Sequence, residues 1–235
     1  MSQAEFKAIV DLASVRYKHA GRFAYYFARG KLRGDPVFQH MLEQGLIGSG
    51  ARVLDLGCGQ GLLAALLLAT GAHFQAKRWP AEWARPPLEP KLTGIELMPA
   101  DVDRARLALG SEALFVLGDI ARTPFPQADV VVILDVLHYL PFEEQKDVLH
   151  RLHLALQPHG RLLLRIGDAD GGFAFRFSNW VDRVVTRCRG HRLGSLYCRN
   201  LTDWIRLLRD SGFDVKVRPM SQGTLFSNVL LIADL

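Results

Sequence analysis

Residues 53–61 read Val-Leu-Asp-Leu-Gly-Cys-Gly-Gln-Gly, a short apolar run that passes directly into glycines at 57, 59 and 61. Without Cβ atoms the backbone can turn sharply there and be approached closely by a ligand. The apolar stretch Leu-Leu-Ala-Ala-Leu-Leu-Leu-Ala-Thr follows at once (62–70) and predicts a buried helix over 61–70, closed by Gly71. Strand, glycine turn and helix in this order commit the next strand to run parallel to the first, because the crossover helix must pack back on the sheet.

The chain keeps that rhythm. Strands are predicted at 51–56, 91–97, 112–118, 128–136 and 160–167, and helices at 100–109 and 142–156 between them. Glu143 and Glu144 suit the first turn of the latter helix. After residue 200 come a helix over 201–212, with Thr202 as its cap, and two closing strands in "FDVKVRP" and "LFSNVLLIADL". The expected fold is α/β: a doubly wound, mostly parallel seven-stranded sheet with helices on both faces.

Two regions stand outside this frame. Residues 1–47 read as a helical lid ahead of a domain spanning 48–235. Ala20, Phe23, Ala24 and Phe27 share one helical face, with Phe23 and Phe27 expected to point toward the domain. Lys18, Arg22, Arg29 and Arg33 share another, with Arg22 and Arg29 toward an acceptor or its carrier. Asp35 reads as an N-cap with Pro36 in the first turn. Inside the domain, 75–90 and 171–199 read as insertions. The first, "QAKRWPAEWARPPLEP", lies on a helix-to-strand connection, at the edge opposite the one where parallel sheets bind ligands. Trp79 and Trp83 are therefore expected to pack locally or at a partner surface rather than to touch substrate.

The formal charge of +5 is uneven. Residues 16–33 carry six cations and five aromatics with no carboxylate, and residues 171–199 carry six arginines against Asp182 alone. The remainder is acidic, at about −6. No apolar run reaches the ~18 residues that cross a bilayer. The N-terminus lacks a basic start followed by an apolar block, so no signal peptide is expected. Cys58, Cys188 and Cys198 form no spaced framework, and a reduced cytoplasmic setting is the default.

Asp55-Leu-Gly57-Cys-Gly59-Gln-Gly61 resembles the first motif of class I S-adenosylmethionine-dependent methyltransferases, and the likeness runs in order from about residue 48 to 170. It implies their Rossmann-like fold and S-adenosyl-L-methionine as cofactor. It also implies that the glycine loop meets the methionine half of the cofactor. Glu96 in "GIEL" matches the acid that holds the ribose hydroxyls, a task suited to an acceptor with two oxygens. Leu97 and Met98 would line the adenine. Asp119 in "LGDI" matches the adenine-contacting acid, with Ile120 on the ring, and Asp135 in "ILDVLHYL" falls at the methionine end. Cys58 is included with the loop, its thiol read as a small residue in a crowded turn rather than a nucleophile. Glu96 lies farther beyond the loop than the usual ~20 residues, and the 75–90 insertion accounts for the excess.

His138, three residues beyond Asp135, is the candidate base, with Tyr139 a second catalytic candidate or a wall of the acceptor pocket. His150 and His153 share a helix, but no third ligand stands at metal spacing, so no metal is expected. The turn after the fourth strand is Asp135-Val-Leu-His-Tyr139, not the Asn/Asp-Pro-Pro-aromatic sequence with which amino-methylating enzymes grip an extruded base. DNA is therefore not an expected partner, and an RNA acceptor ranks behind a small molecule. A non-catalytic cofactor binder and an NAD-dependent oxidoreductase compete with the methyltransferase reading. Both basic segments mix arginine with aromatic rings, which suits an anionic acceptor with an apolar or aromatic body. Arg22, Tyr26, Arg29 and Arg176 are the candidate acceptor contacts. A substrate on an acidic acyl carrier protein would fit the same rims. The leader "AGRFAYYFARGKLRGDPVF" also resembles that of bacterial methyltransferases accompanying fatty-acid, polyketide-like and aryl-polyene pathways.

Overall fold

The computed structural model describes residues 2–167, 197–220 and 228–235. Three helices come first: α1 (Ser2–Val15), α2 (Arg22–Gly34) and α3 (Pro36–Glu43), with a 3-10 turn at Arg16–Ala20. Then follow β1 (Arg52–Leu56), α4 (Leu62–Gln75), β2 (Lys91–Glu96), α5 (Pro99–Leu109), β3 (Leu114–Leu117), β4 (Ala128–Leu134), α6 (Phe142–Ala155) and β5 (Leu156–Gly167). The chain closes with α7 (Leu201–Asp210), β6 (Asp214–Pro219) and β7 (Asn228–Asp234).

The sheet has seven strands in the order β3-β2-β1-β4-β5-β7-β6. β1 through β5 run parallel, and β7 runs antiparallel to both β5 and β6. The strand order reverses between β1 and β4, so the crevice beyond their C-terminal ends is the place where such a sheet takes a ligand. Strand residues alternate between two cores. Val53, Val130, Val132 and Leu163 face α1, α4 and α5, whereas Leu54, Val131, Ile133, Leu162 and Leu164 face α6 and α7. Burial on both faces explains why these strands read as near-continuous apolar runs.

Helix α4 has little polar surface of its own, and α1 covers it. Phe6, Ile9, Val10, Ala13 and Ser14 of α1 follow helical spacing and are buried. The sequence placed the end of α4 at Gly71, but the helix runs through to Gln75. A single helical glycine costs only about 1 kcal/mol, and the neighbouring buried leucines outweigh it. The expected inner face of α2 is also corrected. Ala24, Ala28 and Leu32 are buried, while Phe23 is 57% exposed. The small residues let α2 lie close, and Phe27 is partly buried at the edge of the same core.

Asp35 caps α3 as predicted, accepting from the Val37 amide at 3.2 Å. The cap of α7 is Asn200, not Thr202; its side chain accepts from the Asp203 amide at 2.8 Å. β5 begins at Leu156, four residues ahead of its predicted start, with an irregularity opposite Ala128 and Val130. In the 75–90 segment Trp79 and Trp83 meet edge to face at 5.2 Å. Trp79 Nε1 donates to the Ala84 carbonyl, and the Ala84 amide to that of Glu43. The segment packs beneath α3, at the N-terminal edge of the sheet, where its place on a helix-to-strand connection put it.

Candidate functional site

Gly57 and Gly59 do different work. Gly57 has φ 73°, and a Cβ there would lie 2.4 Å from Val136 Cγ2, so the loop beyond β1 is pressed against the loop beyond β4. Gly59 has φ 55°, and a Cβ there would meet nothing within 4 Å. It is the open side of the loop, the cradle a ligand's backbone contact requires. The amides of Gly57 and Cys58 both donate to the Ile95 carbonyl, at 2.8 and 3.3 Å, anchoring the turn to β2. The Cys58 thiol is buried, and a Cβ at Gly94 would sit 2.6 Å from its sulfur. Burial, with Asp55 and Glu96 nearby, pushes that thiol well up, which fits the packing role expected of it.

Glu96 is 8% exposed and oriented by two amides: Gly59 N–H on Oε2 at 2.9 Å and Met98 N–H on Oε1 at 2.8 Å. Burial raises its pKa against the pull of those amides. A carboxylate has about four acceptor sites, so both oxygens keep room for a second donor such as a ribose hydroxyl. Asp55 is half-buried, and its carboxyl is pushed up to about 7, by burial first and Glu96 second. Asp119 accepts from the Ala121 amide at 3.0 Å and stays half-buried. Leu97 and Met98 are half-buried beside Glu96. Ile120, 6% exposed, belongs to the core under α6, so most of its surface is spent on the protein rather than on a ring.

At the end of β4 the carboxylate of Asp135 is engaged by Arg165, which donates through Nε at 2.9 Å and through a terminal nitrogen. The other terminal nitrogen of Arg165 lies on both oxygens of Asp35, and Lys31 Nζ reaches Asp35 at 2.8 Å. Burial alone would lower the Arg165 pKa; Asp135 and Asp35 outweigh it and raise it. Asp35 is held low by Arg165 and Lys31 despite its burial. Asp135 has a left-handed φ of 59°. The side chain read as a cofactor contact is thus first a partner of Arg165.

His138 and Tyr139 stand on a 3-10 turn, Leu137–Tyr139, with ring centroids 4.2 Å apart. Burial lowers the His138 pKa, with Asp135 opposing. The turn is pinned by the fully buried Gln145, whose Nε2 lies 3.0–3.1 Å from the carbonyls of Leu137 and Leu140. The Tyr197 amide donates to the His138 carbonyl at 2.9 Å.

The candidate acceptor contacts separate. Arg22 is exposed and Tyr26 is 60% exposed. Arg29 is tied to Asp11 of α1 at 3.0 Å, so it is a bridge between two helices and not a cation waiting for an acceptor. Arg176, with most of the 171–199 segment, lies outside the described residues. His153 packs edge-on against Phe213, and among the described residues no three His, Cys, Asp or Glu converge at metal distance. No helix among them is long and apolar enough to cross a membrane.

Sequence reasoning passed over Arg165, Gln145, Tyr17 and Gln60. An arginine inside an apolar strand, Leu-Leu-Leu-Arg-Ile, was itself a signal, because a buried cation requires carboxylate partners. Gln145 and Gln60 gave none, since their side-chain amides donate to backbone carbonyls.

Residues 27–216 match the family described as "Methyltransferase domain", and the chain belongs to that family. Among curated proteins it is 37% identical over 120 residues to the carboxy-S-adenosyl-L-methionine synthase of Chromohalobacter salexigens, covering 49% of this chain and 39% of that one. It is 27% identical over 172 residues to the tetracenomycin polyketide synthesis 8-O-methyl transferase TcmO of Streptomyces glaucescens, covering 72% and 45%. The chain thus spans less than half the length of either relative. Among solved structures it resembles an O-methyltransferase family protein from Burkholderia thailandensis, with TM-score 0.59 and 23% identity, over 92% of this chain and 61% of that one. It also resembles the magnesium protoporphyrin IX methyltransferase of Synechocystis PCC 6803 with bound SAH, with TM-score 0.56 and 22% identity, over 94% and 93%. At these identities the structural likenesses establish the fold.

Proposed function

We propose that this member of the methyltransferase family uses S-adenosylmethionine to methylate a small organic acceptor that carries negative charge on an apolar or aromatic body. The observation that carries the reading is the pairing of Gly59 with Glu96. One residue opens the backbone to a ligand and donates its amide to the other, a buried carboxylate with unused acceptor sites. Glu96 would hold the ribose hydroxyls, the 57–61 loop the methionine half, and Leu97, Met98 and Asp119 the adenine.

When bound, S-adenosylmethionine supplies a methyl group on a positively charged sulfur, already activated for displacement. The chain's own residues must then align the acceptor and exclude water. His138 stands on the turn beyond β4, and its lowered pKa keeps the imidazole neutral near pH 7, the form that accepts a proton from a hydroxyl acceptor. The exposed Arg22 on α2 supplies positive charge to the cover, and the arginines of 171–199 extend that reading along the sequence.

The relationship to a polyketide O-methyltransferase favours a phenolic or polyketide-like acceptor. Calorimetric titration with S-adenosylhomocysteine tests the cofactor, and methyl-labelled donor with a panel of phenolic acids, neutral phenols, carrier-tethered acyl chains and RNA tests the acceptor. Transfer to phenolic acids is the expected result. Labelling of RNA alone, or binding with transfer to nothing in the panel, would overturn the acceptor class. Binding of NAD in place of S-adenosylhomocysteine would overturn the cofactor.

A further inference from the structure

Gln60, between Gly59 and Gly61, is 2% exposed and bound to the N-terminal segment in both directions. Its backbone carbonyl accepts from the Tyr17 hydroxyl at 2.9 Å. Its Nε2 donates to the Ala24 carbonyl at 2.8 Å. The second bond fixes which way the amide points, because exchanging O and N would set two carbonyl oxygens against each other. Oε1 is left buried with no hydrogen-bond partner. Buried amide oxygens are seldom left without a donor, so an orphan of this kind asks what fills it. The neighbourhood favours a donor that carries positive charge. Asp55 and Glu96 flank the same loop, and among the described residues neither has a cationic partner.

We propose that Gln60 Oε1 accepts a hydrogen bond from the ammonium of the methionine half of the methyl donor, making Gln60 a cofactor-recognising residue that ties donor binding to the docking of the N-terminal segment. The inference rests on the methyl-donor reading above. Tyr17 is fully buried, and burial pushes its phenol up, so the hydroxyl stays a donor at every working pH. A ligand that fixes Gln60 therefore also fixes Tyr17 and Ala24. By reciprocity, whatever loosens those two weakens the ligand.

The test compares two ligands. S-adenosylhomocysteine carries the ammonium, and 5′-methylthioadenosine has the same nucleoside and sulfur without it. In calorimetric titrations Gln60→Met should weaken S-adenosylhomocysteine about tenfold and change methylthioadenosine by less than about twofold. Unchanged S-adenosylhomocysteine affinity, or equal losses for both ligands, would overturn the assignment. Tyr17→Phe provides an independent arm should Gln60→Met not fold. In the wild-type chain S-adenosylhomocysteine should slow amide exchange across residues 16–34, and in Tyr17→Phe that slowing should shrink. Exchange there that ignores the ligand would overturn the coupling. A wild-type chain that binds no S-adenosylhomocysteine would overturn the methyl-donor reading and the proposal together, whereas binding with unaltered variants overturns the proposal alone.

Discussion

Arg165 meets Asp135 edge to edge, two guanidinium nitrogens on two carboxylate oxygens, while the arginine's remaining terminal nitrogen holds both oxygens of Asp35. A side chain of β5 thereby joins the cap of α3 to the turn that carries His138. Arg165→Met should cost about 3–5 kcal/mol, because it strips Asp135 of its cation and leaves the buried Asp35 with Lys31 alone. Urea unfolding would measure it. A loss under about 1 kcal/mol, the range of a surface ion pair, would show that the trio is not a buried network.

Substitutions at two glycines of one loop should part company. Gly59→Ala has space for its methyl group and a left-handed φ to maintain, costing about 1–2 kcal/mol, yet it should abolish measurable S-adenosylhomocysteine binding by filling the cradle. Gly57→Ala adds a clash with Val136 and should cost roughly 2–5 kcal/mol. Thermal melts with and without ligand separate the two. Full affinity in Gly59→Ala would move the ligand elsewhere.

His138→Ala should reduce methyl transfer to a hydroxyl acceptor by about 10²–10⁴-fold and leave S-adenosylhomocysteine affinity intact. Since burial lowers its pKa, the acid limb of the turnover profile should fall below the ordinary histidine value of ~6.5. Rates measured from pH 5 to 8 check both points. A limb above that value, or an alanine variant with normal turnover, removes His138 from the chemistry.

Asp55 makes stability depend on pH. Its folded-state carboxyl keeps a proton up to about 7, while in the unfolded chain it loses the proton near ~3.9. Across that window the folded form binds more protons, so stability falls as pH rises and the loss is complete above it. Asp55→Asn removes the effect. The ligand-free variant should therefore melt higher than the wild type at pH 8, with the gap closing toward pH 4. A constant gap across the range would assign the difference to packing.

The frame of the fold was legible because it is written in local signals. Gly57, Gly59 and Gly61 mark the turn, Val130–Ile133 the central strand, and Asp35-Pro36 the start of α3. Glu96 was singled out by resemblance alone; its hold on the Gly59 and Met98 amides could not be read from the sequence, because it joins two loops 37 residues apart. The N-terminal cover was read less well. Phe23 looked like the inner face of α2, but close helix packing chose Ala24 and Ala28, and periodicity cannot tell a large apolar face from a small one. Arg29 looked free because Asp11 is eighteen residues away in sequence. Asp135 was placed by resemblance alone, and its pairing with Arg165 went unseen because that arginine lies on another strand.

The cover that α1 lays over α4 also decides how a substrate gets in. Phe6, Ile9, Val10, Ala13 and Tyr17 are all at or below 4% exposure. Swinging α1 aside would expose the four larger ones at about 1.5–3 kcal/mol each, together with the leucines beneath them. That approaches the whole stability of a domain, about 5–15 kcal/mol. The doorway therefore cannot be a hinge at the first helix. The first helix serves as a fixed wall rather than a gate.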